Sequence, residues 1–558
     1  VRLWLLSPCL YDTAWQPSSP VPPDPISPKS SDDTQQAQRE RDALHGLIWK
    51  AATQLVHGGG VSAVGFKSYF LGILFYRFIS ENLCDYFNTL QRDSGEAGFD
   101  YTDFPDAYAE RGREGAVSAK GFFILPSQLF ENVRRRARDD RDLNQTLSSV
   151  FKSIEGSAVG TPSEDKLKGL FQDIDFNSNA LGPSVAKRNE KLVELLDAIG
   201  GLPLSGDFAQ SKIDLFGDAY EYLLHMYASN SGKSGGEFYT PQTVAELLAR
   251  LTLVDKSEVN KVYDPACGSG SLLLQFSKLL SRDKVRQGFF GQEINHETYN
   301  LCRMNLFLHD VGFDKNHIAQ GDTLLEPAHW DDEPFEAIVS NPPYSIPWVG
   351  DKDPTLINDP RFSPAGVLAP KSKADLAFTM HMLSWLDEAG TAAIVEFPGV
   401  LYRGGTERKI RHYLIEQNYI DTVIQLPPDL FFGTTIATCI IVLKKSARRD
   451  NCVLFIDASA EFSRSDNKNT LTQENRQRIL DCFTAREEVP HFAKLVNNAD
   501  ILTNDCNLSV SSYVEQADTK EVVDIKALNA DIAGIVERQS ALRLQIDAIV
   551  AELEGAAA

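Results

Sequence analysis

From about Ile213 to Arg448 the chain alternates short β-branched or aromatic runs with helical stretches, and few architectures accept that alternation. The runs are KVYDP, GFFGQEI, HIAQGD, FEAIVSNPP, TAAIVEFP, IDTVIQLP and TCIIVLKK, with CVLFIDAS following after Arg448. Strands separated by helices pair in parallel through crossover connections, so the expected fold class is α/β, a doubly wound and largely parallel sheet. Ligands of such sheets bind beyond the carboxyl ends of the strands. The residues that close each run are therefore where chemistry is expected.

The first run closes in Asp264-Pro265-Ala266-Cys267-Gly268-Ser269-Gly270-Ser271 and leads into the helical stretch LLLQFSKLL. Gly268 and Gly270 let the backbone of a strand-to-helix turn approach a ligand, with helix amides nearby. A dinucleotide fingerprint would need a third glycine three residues on, where Leu273 stands instead. The leading carboxylate also suits a cationic or hydroxyl-bearing ligand better than a diphosphate. The second run ends in Glu293, placed to accept two ribose hydroxyls, and the third in Gly321-Asp322, placed to accept from an adenine amino group. Asp264, Glu293 and Asp322 together describe an adenosine pocket. Gly232-Lys233-Ser234 does not make a phosphate loop, because Tyr227 occupies the position of the required glycine and no strand precedes it.

The fourth run ends in Asn341-Pro342-Pro343-Tyr344. The lone pair of an exocyclic amine is delocalised into its ring, which makes the amine a poor nucleophile. The Asn341 side-chain oxygen and the Pro342 carbonyl can each accept one amine hydrogen, which frees that lone pair for attack on a sulfonium methyl. The two prolines stiffen the backbone so that these acceptors are placed in advance. Tyr344 offers a face on which a base flipped out of a duplex can stack. No metal is required.

Before this region, from about Ala43 to Ala198, apolar residues recur at helical spacing in LHGLIWKAATQL, FKSYFLGILFYRFISENLCDYF and PSQLFENVRRRA. At the other end Leu528, Ile532, Ile535, Leu542, Ile546, Ile549 and Leu553 keep a heptad rhythm broken by Gln539. The expected division is a disordered leader over 1–40, a helical domain over 41–205, a catalytic domain over 206–450, an extension over 451–520 and a docking helix over 521–558. No run reaches the ~18 uncharged apolar residues of a membrane helix. The eight cysteines contain no CxxC pair, which fits a reducing cytoplasm and argues against a zinc site. The formal charge of −22 is unusual for a chain that grips DNA alone, so a partner is expected to carry much of the binding charge.

These residues resemble the modification (M, HsdM-type) subunits of type I restriction-modification systems, the IC-type subfamily in particular. The matching stretches include LGILFYRFISENL, GKSGGEFYTPQ, YDPACGSGSLLLQ, FFGQEINHETYNL, VSNPPYS, DPTLINDPRFSPAGVLAPKSKADLAF and FPGVLYRGGTE, and run nearly unbroken from about residue 42 to 555. The resemblance implies a Rossmann-like methyltransferase sheet with an N-terminal all-helical domain and a C-terminal helical or coiled-coil tail. It implies methylation of adenine N6 in double-stranded DNA, with S-adenosylmethionine as donor and the motif order of the gamma class. Donor contacts would fall on Glu237, Phe238, Tyr239, Thr240, Pro241 and Gln242, on Ser269, Gly270 and Ser271, and on Glu293, beside the Asp264, Gly268 and Asp322 derived above. Phe432 would be a second aromatic beside the flipped base. The implied partners are a specificity (S) subunit, a second M copy and a restriction/translocation (R) subunit. Rival readings are a stand-alone methyltransferase of cytosine N4 or of a glutamine amide, and a non-catalytic assembly module.

Overall fold

Each of the eight runs forms a strand in the computed structural model, which describes residues 43–53, 63–204, 211–230, 240–280, 282–350, 353–431, 435–446, 448, 450–465, 468–516 and 525–556. They are β1 (Val259–Asp264), β2 (Val285–Glu293), β3 (Asn316–Gln320), β4 (Phe335–Ser340), β5 (Leu386–Glu396), β6 (Ile420–Gln425), β7 (Cys439–Leu443) and β8 (Cys452–Asp457). A small ribbon, β9 (Ser463–Ser465) with β10 (Lys468–Thr470), follows, and then β11 (Ala493–Asn497). The main sheet runs β11-β8-β6-β7-β5-β4-β1-β2-β3.

The pairs β1–β2, β2–β3, β1–β4, β4–β5 and β6–β8 are parallel, as expected. β7 is not: it inserts antiparallel between β5 and β6, and β11 adds antiparallel to β8. No helical run separates the sixth and seventh runs in the sequence, and a parallel pairing needs a crossover of about a dozen residues or more, usually a helix.

Along each central strand the side chains alternate between two cores. Val262, Ala337, Val339, Ala393 and Val395 face one, while Tyr263, Ile338, Ala392 and Ile394 face the other. The helices have the amphipathic or wholly apolar stripes that such faces demand. We label them α1 (Ala63–Asp93), α2 (Leu143–Gly156), α3 (Val185–Gly200), α4 (Ser211–Asn230), α5 (Gln242–Leu253), α6 (Ser271–Leu280), α7 (His296–Leu308), α8 (Asp375–Trp385), α9 (Gly405–Glu416), α10 (Gln473–Ala485) and α11 (Ile525–Ala556). Helices α5, α6 and α10 cover the first face, and α8 and α9 the second.

The N-terminal helices form a third core around α1, whose Phe70, Ile73, Leu74 and Tyr76 are fully buried. Packing crosses two of the expected boundaries. Phe216, Ala219, Tyr220 and Leu223 of α4 enter this helical core, beyond the boundary expected at residue 205. β8 and β11 join the main sheet, beyond the boundary expected at 450. The leader over 1–40 lies outside the described residues.

Helix α7 belongs to both halves. Asn295 caps it by accepting from the Thr298 N–H. Leu301, Met304 and Leu308 pack into the helical core, and Cys302 and Leu306 into the sheet core. Arg303, almost wholly buried, lies over the Tyr299 ring at 4.2 Å and donates to the carbonyls of Asp165, Lys166 and Lys168 at 3.4, 3.1 and 3.2 Å. Arg303→Ala should leave those carbonyls unsatisfied and cost about 3 kcal/mol in urea unfolding. A change under about 1 kcal/mol would mean the 164–168 turn is held by something else.

Candidate functional site

The order of the sheet reverses between β1 and β4, and the crevice beyond their carboxyl ends is the natural ligand position. The last residues of the two strands are linked across it: Ser340 Oγ donates to Asp264 Oδ1 at 2.8 Å, and the same oxygen accepts from the Ala266 N–H at 3.0 Å. Asp264 Oδ2 is buried with no hydrogen-bond partner. Asp264 is wholly buried and points beneath the turn, so it braces the pocket rather than lining it. Burial first, offset by those two hydrogen bonds, lifts its pKa to about 7.

The glycine turn is drawn tight by its own backbone. Gly268 and Gly270 have φ of +54° and +79°, and the Gly270 N–H donates to the Cys267 carbonyl at 2.8 Å. A Cβ on Gly270 would lie 2.8 Å from Cys302 Sγ on α7, which explains glycine there beyond the dihedral alone. Asn305 of α7 donates to the Ser269 carbonyl at 2.9 Å and fixes the turn from below. Cys267 packs against Cys302, with sulfurs 3.9 Å apart, and both thiols are buried.

Glu293 closes β2 and clasps both neighbouring segments. Oε2 accepts from the Gly268 N–H at 3.0 Å and Oε1 from the Asn295 N–H at 2.8 Å. Burial raises its pKa above the usual carboxylate value, and those backbone bonds pull it partly back. Asp322 follows β3 and accepts from the Leu324 N–H at 2.9 Å.

In the tetrapeptide, Asn341 Nδ2 donates to Thr240 Oγ1 at 3.0 Å, and the Tyr344 hydroxyl donates to Asn341 Oδ1 at 2.5 Å. The amide oxygen therefore faces Tyr344 and the amide nitrogen faces the loop before α5. Tyr344 is half-buried and packs on the first sheet core. Burial, then Glu396, Cys439 and Asp375, push its phenol well above the ordinary tyrosine range.

A cavity of about 510 Å³ joins these parts. Of the residues expected from sequence, Gly268, Glu293, Asp322, Asn341 and Pro343 line it. Asp264, Ser269 and Ser271 lie buried beneath it, and Pro241 and Gln242 face a neighbouring cavity of about 480 Å³. Glu237, Phe238, Tyr239 and Phe432 lie outside the described residues. Among the lining residues that were not anticipated are Ile294, Trp348 and Phe378. Ile294 is 65% exposed directly after Glu293, an apolar face where a ring could rest. An isoleucine following a strand-terminal acid was a readable signal. Trp348, whose indole N–H donates to the Pro370 carbonyl at 3.1 Å, comes from a loop with no periodicity to flag it. Among the described residues no group of acids, histidines and cysteines could hold a metal ion.

The sequence matches the N-6 DNA Methylase family over residues 211–522 and the HsdM N-terminal domain over residues 44–199. It is 46% identical over 531 residues to the type I restriction enzyme MpnII methylase subunit of Mycoplasma pneumoniae, covering 92% of this chain and 97% of that one. The structure superposes on a type I restriction-modification methyltransferase subunit from Streptococcus thermophilus with a TM-score of 0.76 and 34% identity, covering 85% of this chain and 100% of that one. A chain from a study of type I system assembly shares the fold at a TM-score of 0.58 and 19% identity, covering 92% and 99%.

The raised Asp264 pKa gives a pH test. Below the free carboxylate pKa of about 4 the folded and unfolded states both hold the proton, and between there and neutrality only the folded state does. Stability contributed by this group therefore falls as pH rises to about 7. Asp264→Asn keeps the acceptor for Ser340 but cannot ionise. Its melting temperature should gain on the parent between about pH 5 and pH 8, by an amount equivalent to a few kcal/mol. A constant gap across that range would show that Asp264 does not titrate there.

Proposed function

From the premise that the chain belongs to the methylase subunits of type I restriction enzymes, within the N-6 DNA methylase family, we propose that the crevice between β1 and β4 is where donor and target adenine meet. The family's enzymes are S-adenosylmethionine-dependent adenine DNA methyltransferases. The observation that carries the placement is the shared cavity, which brings Glu293, Asp322 and the glycine turn to one side and Asn341 to the other.

The residues present fit the donor. Glu293 presents a carboxylate at the end of β2 for a ribose diol, Ile294 an apolar face for the adenine ring, and Asp322 an acceptor for its amino group. Gly268 leaves room for backbone approach. Thr240, with the buried and unpartnered Ser269 Oγ beneath the turn, supplies polar groups for the amino-acid end. When bound, the donor supplies a sulfonium methyl group.

The chain's own contribution is to hold the target amine. Thr240 fixes the Asn341 amide so that Oδ1 points to where Tyr344 now donates. On capture of a base, the Tyr344 hydroxyl yields that oxygen to one amine hydrogen, and the Pro342 carbonyl accepts the other. Both acceptors favour the pyramidal nitrogen of the transition state over the planar ground state, which is where binding accelerates a reaction. The freed Tyr344 ring stacks on the base.

Partners complete the enzyme. Helix α11 exposes Leu528, Ile532, Ile535, Leu542, Ile546 and Ile549, a stripe suited to helices of an S subunit that chooses the site. A second methylase copy closes around the duplex, and an R subunit joins in the full complex. The setting is the cytoplasm; no helix among the described residues is long and apolar enough to cross a membrane.

Asn341→Ala should lower methyl transfer by about three orders of magnitude or more while calorimetry still shows donor binding. Loss of both would move Asn341 from the amine to the donor. Deleting 521–558 should abolish co-purification with the S subunit and leave donor affinity unchanged. A truncated chain that still assembles would place the docking surface elsewhere. Adenine-methylation mapping in cells with and without the adjacent S subunit tests the whole reading, and modified adenines are expected only in the paired case.

A further inference from the structure

Between the tetrapeptide and α8 the described residues form no strand and no α-helix, yet this stretch carries an arginine that is only 2% exposed. Arg361 has a hydrogen-bond partner for each of its guanidinium hydrogens. Nη1 donates to the Thr323 carbonyl at 2.8 Å and to His381 Nδ1 at 3.3 Å. Nη2 donates to the Leu324 carbonyl and to Asp359 Oδ2, each at 2.8 Å, and Nε donates to Asp359 Oδ1 at 3.1 Å. Because a guanidinium only donates, His381 Nδ1 is an acceptor, and its Nε2–H donates to the Tyr263 hydroxyl at 2.9 Å. The guanidinium also lies over the rings of Phe362 and Trp330, at 4.8 and 5.7 Å.

Thr323 and Leu324 follow Asp322 and line the cavity with it. Both are buried, and among the described residues no backbone N–H reaches either carbonyl, so Arg361 is what satisfies them. The Leu324 N–H in turn donates to Asp322 Oδ1 at 2.9 Å, so the carboxylate takes its direction from the Leu324 peptide. Thr323 Oγ1 donates to the Pro265 carbonyl at 2.6 Å and holds the same segment against the glycine turn. Arg361 belongs to the stretch that gives the cavity Ile346, Trp348 and Val349, and its neighbour Phe362 meets Trp348 edge to face at 5.6 Å. One side chain therefore ties the loop after the tetrapeptide to the residue that faces the base of the donor. A lysine presents a point charge and does not span two successive carbonyls and a carboxylate in one plane.

We infer that Arg361 is a positioning residue for donor recognition, which holds the Thr323 and Leu324 peptides so that the Asp322 carboxylate points at the adenine amino group. The inference rests on the reading of Asp322 as the acceptor from that group. Arg361 does not line the cavity, and its effect passes through Asp322. It thereby governs which base the pocket accepts: adenine, whose amino group donates to the carboxylate, over hypoxanthine, whose carbonyl oxygen is repelled by it.

Calorimetry on the full chain with S-adenosylhomocysteine and S-inosylhomocysteine reads that role. The parent should prefer the adenosyl compound by about tenfold or more. Arg361→Lys should weaken adenosyl binding about tenfold and inosyl binding by less than about twofold, so that the preference collapses. With S subunit and DNA present, it should raise KM for S-adenosylmethionine about tenfold and keep kcat within about twofold of the parent. Asp359→Asn loosens the guanidinium without removing it and should lose about threefold of the preference, which decides the matter if Arg361→Lys does not fold. Equal weakening of both compounds, or of neither, overturns the proposal, as does a fall in kcat at unchanged KM or an undiminished preference in Asp359→Asn. A parent that binds neither compound, or both equally, overturns the reading of Asp322 and with it the role of Arg361. A parent that prefers the adenosyl compound leaves that reading standing whatever Arg361→Lys does.

Discussion

The hydrogen bond from Ser340 to Asp264 is the contact on which the site depends. Backbone pairing between β1 and β4 reaches Tyr263 with Ile338, and past that point the strands diverge as the sheet order reverses. The side-chain bond carries the pairing one step further, to the residues that open the glycine turn and the tetrapeptide. If it slips, the two halves of the cavity move independently. The bond is bought with a buried carboxyl that favours its protonated form up to about pH 7. Stability is given up where the crevice must be held open, as is common at sites selected for geometry rather than for robustness.

Helix α7 extends that dependence to the N-terminal half. One of its sides, through Leu301, Met304 and Leu308, is part of the helical core; the other, through Cys302 and Asn305, is the floor of the glycine turn. Interiors pack too densely to absorb a shift smoothly. A displacement of the helical unit must therefore reach the Ser269 carbonyl and the Gly270 backbone. Movement of the helical unit and the shape of the glycine turn are thereby mechanically joined, with Arg303 as the bolt.

Strands and turns were legible because burial on two faces writes itself as unbroken apolar runs, and because glycine and proline mark strand ends locally. The tetrapeptide was legible for the same reason: two prolines after an apolar run have few structural uses. What the sequence hid was orientation. Nothing in TCIIVLKK says antiparallel, since a doubly buried strand reads the same in either direction. Nothing in DPACGSG says that Asp264 turns under the loop while Glu293 grips it from the side. Trp348 is brought to the site by a loop, where no periodic signal exists.

Helix α11 bears on why such a chain needs company. Thirty-two residues without a packed face would be marginal as a helix in water, where most helical stability comes from tertiary burial. Six of its heptad residues are about half exposed or more, an apolar stripe too continuous for scattered surface hydrophobics. Covering each large aliphatic side chain contributes roughly 1.5–3 kcal/mol, enough for this one element to drive association. The chain meanwhile carries 77 acidic against 55 basic residues, so DNA is repelled at long range unless a partner supplies positive charge. The same association that buries the stripe can bring that charge. On the proposed function, a lone methylase subunit carries both an uncovered apolar stripe and a charge unfavourable to its substrate, and one partner resolves both.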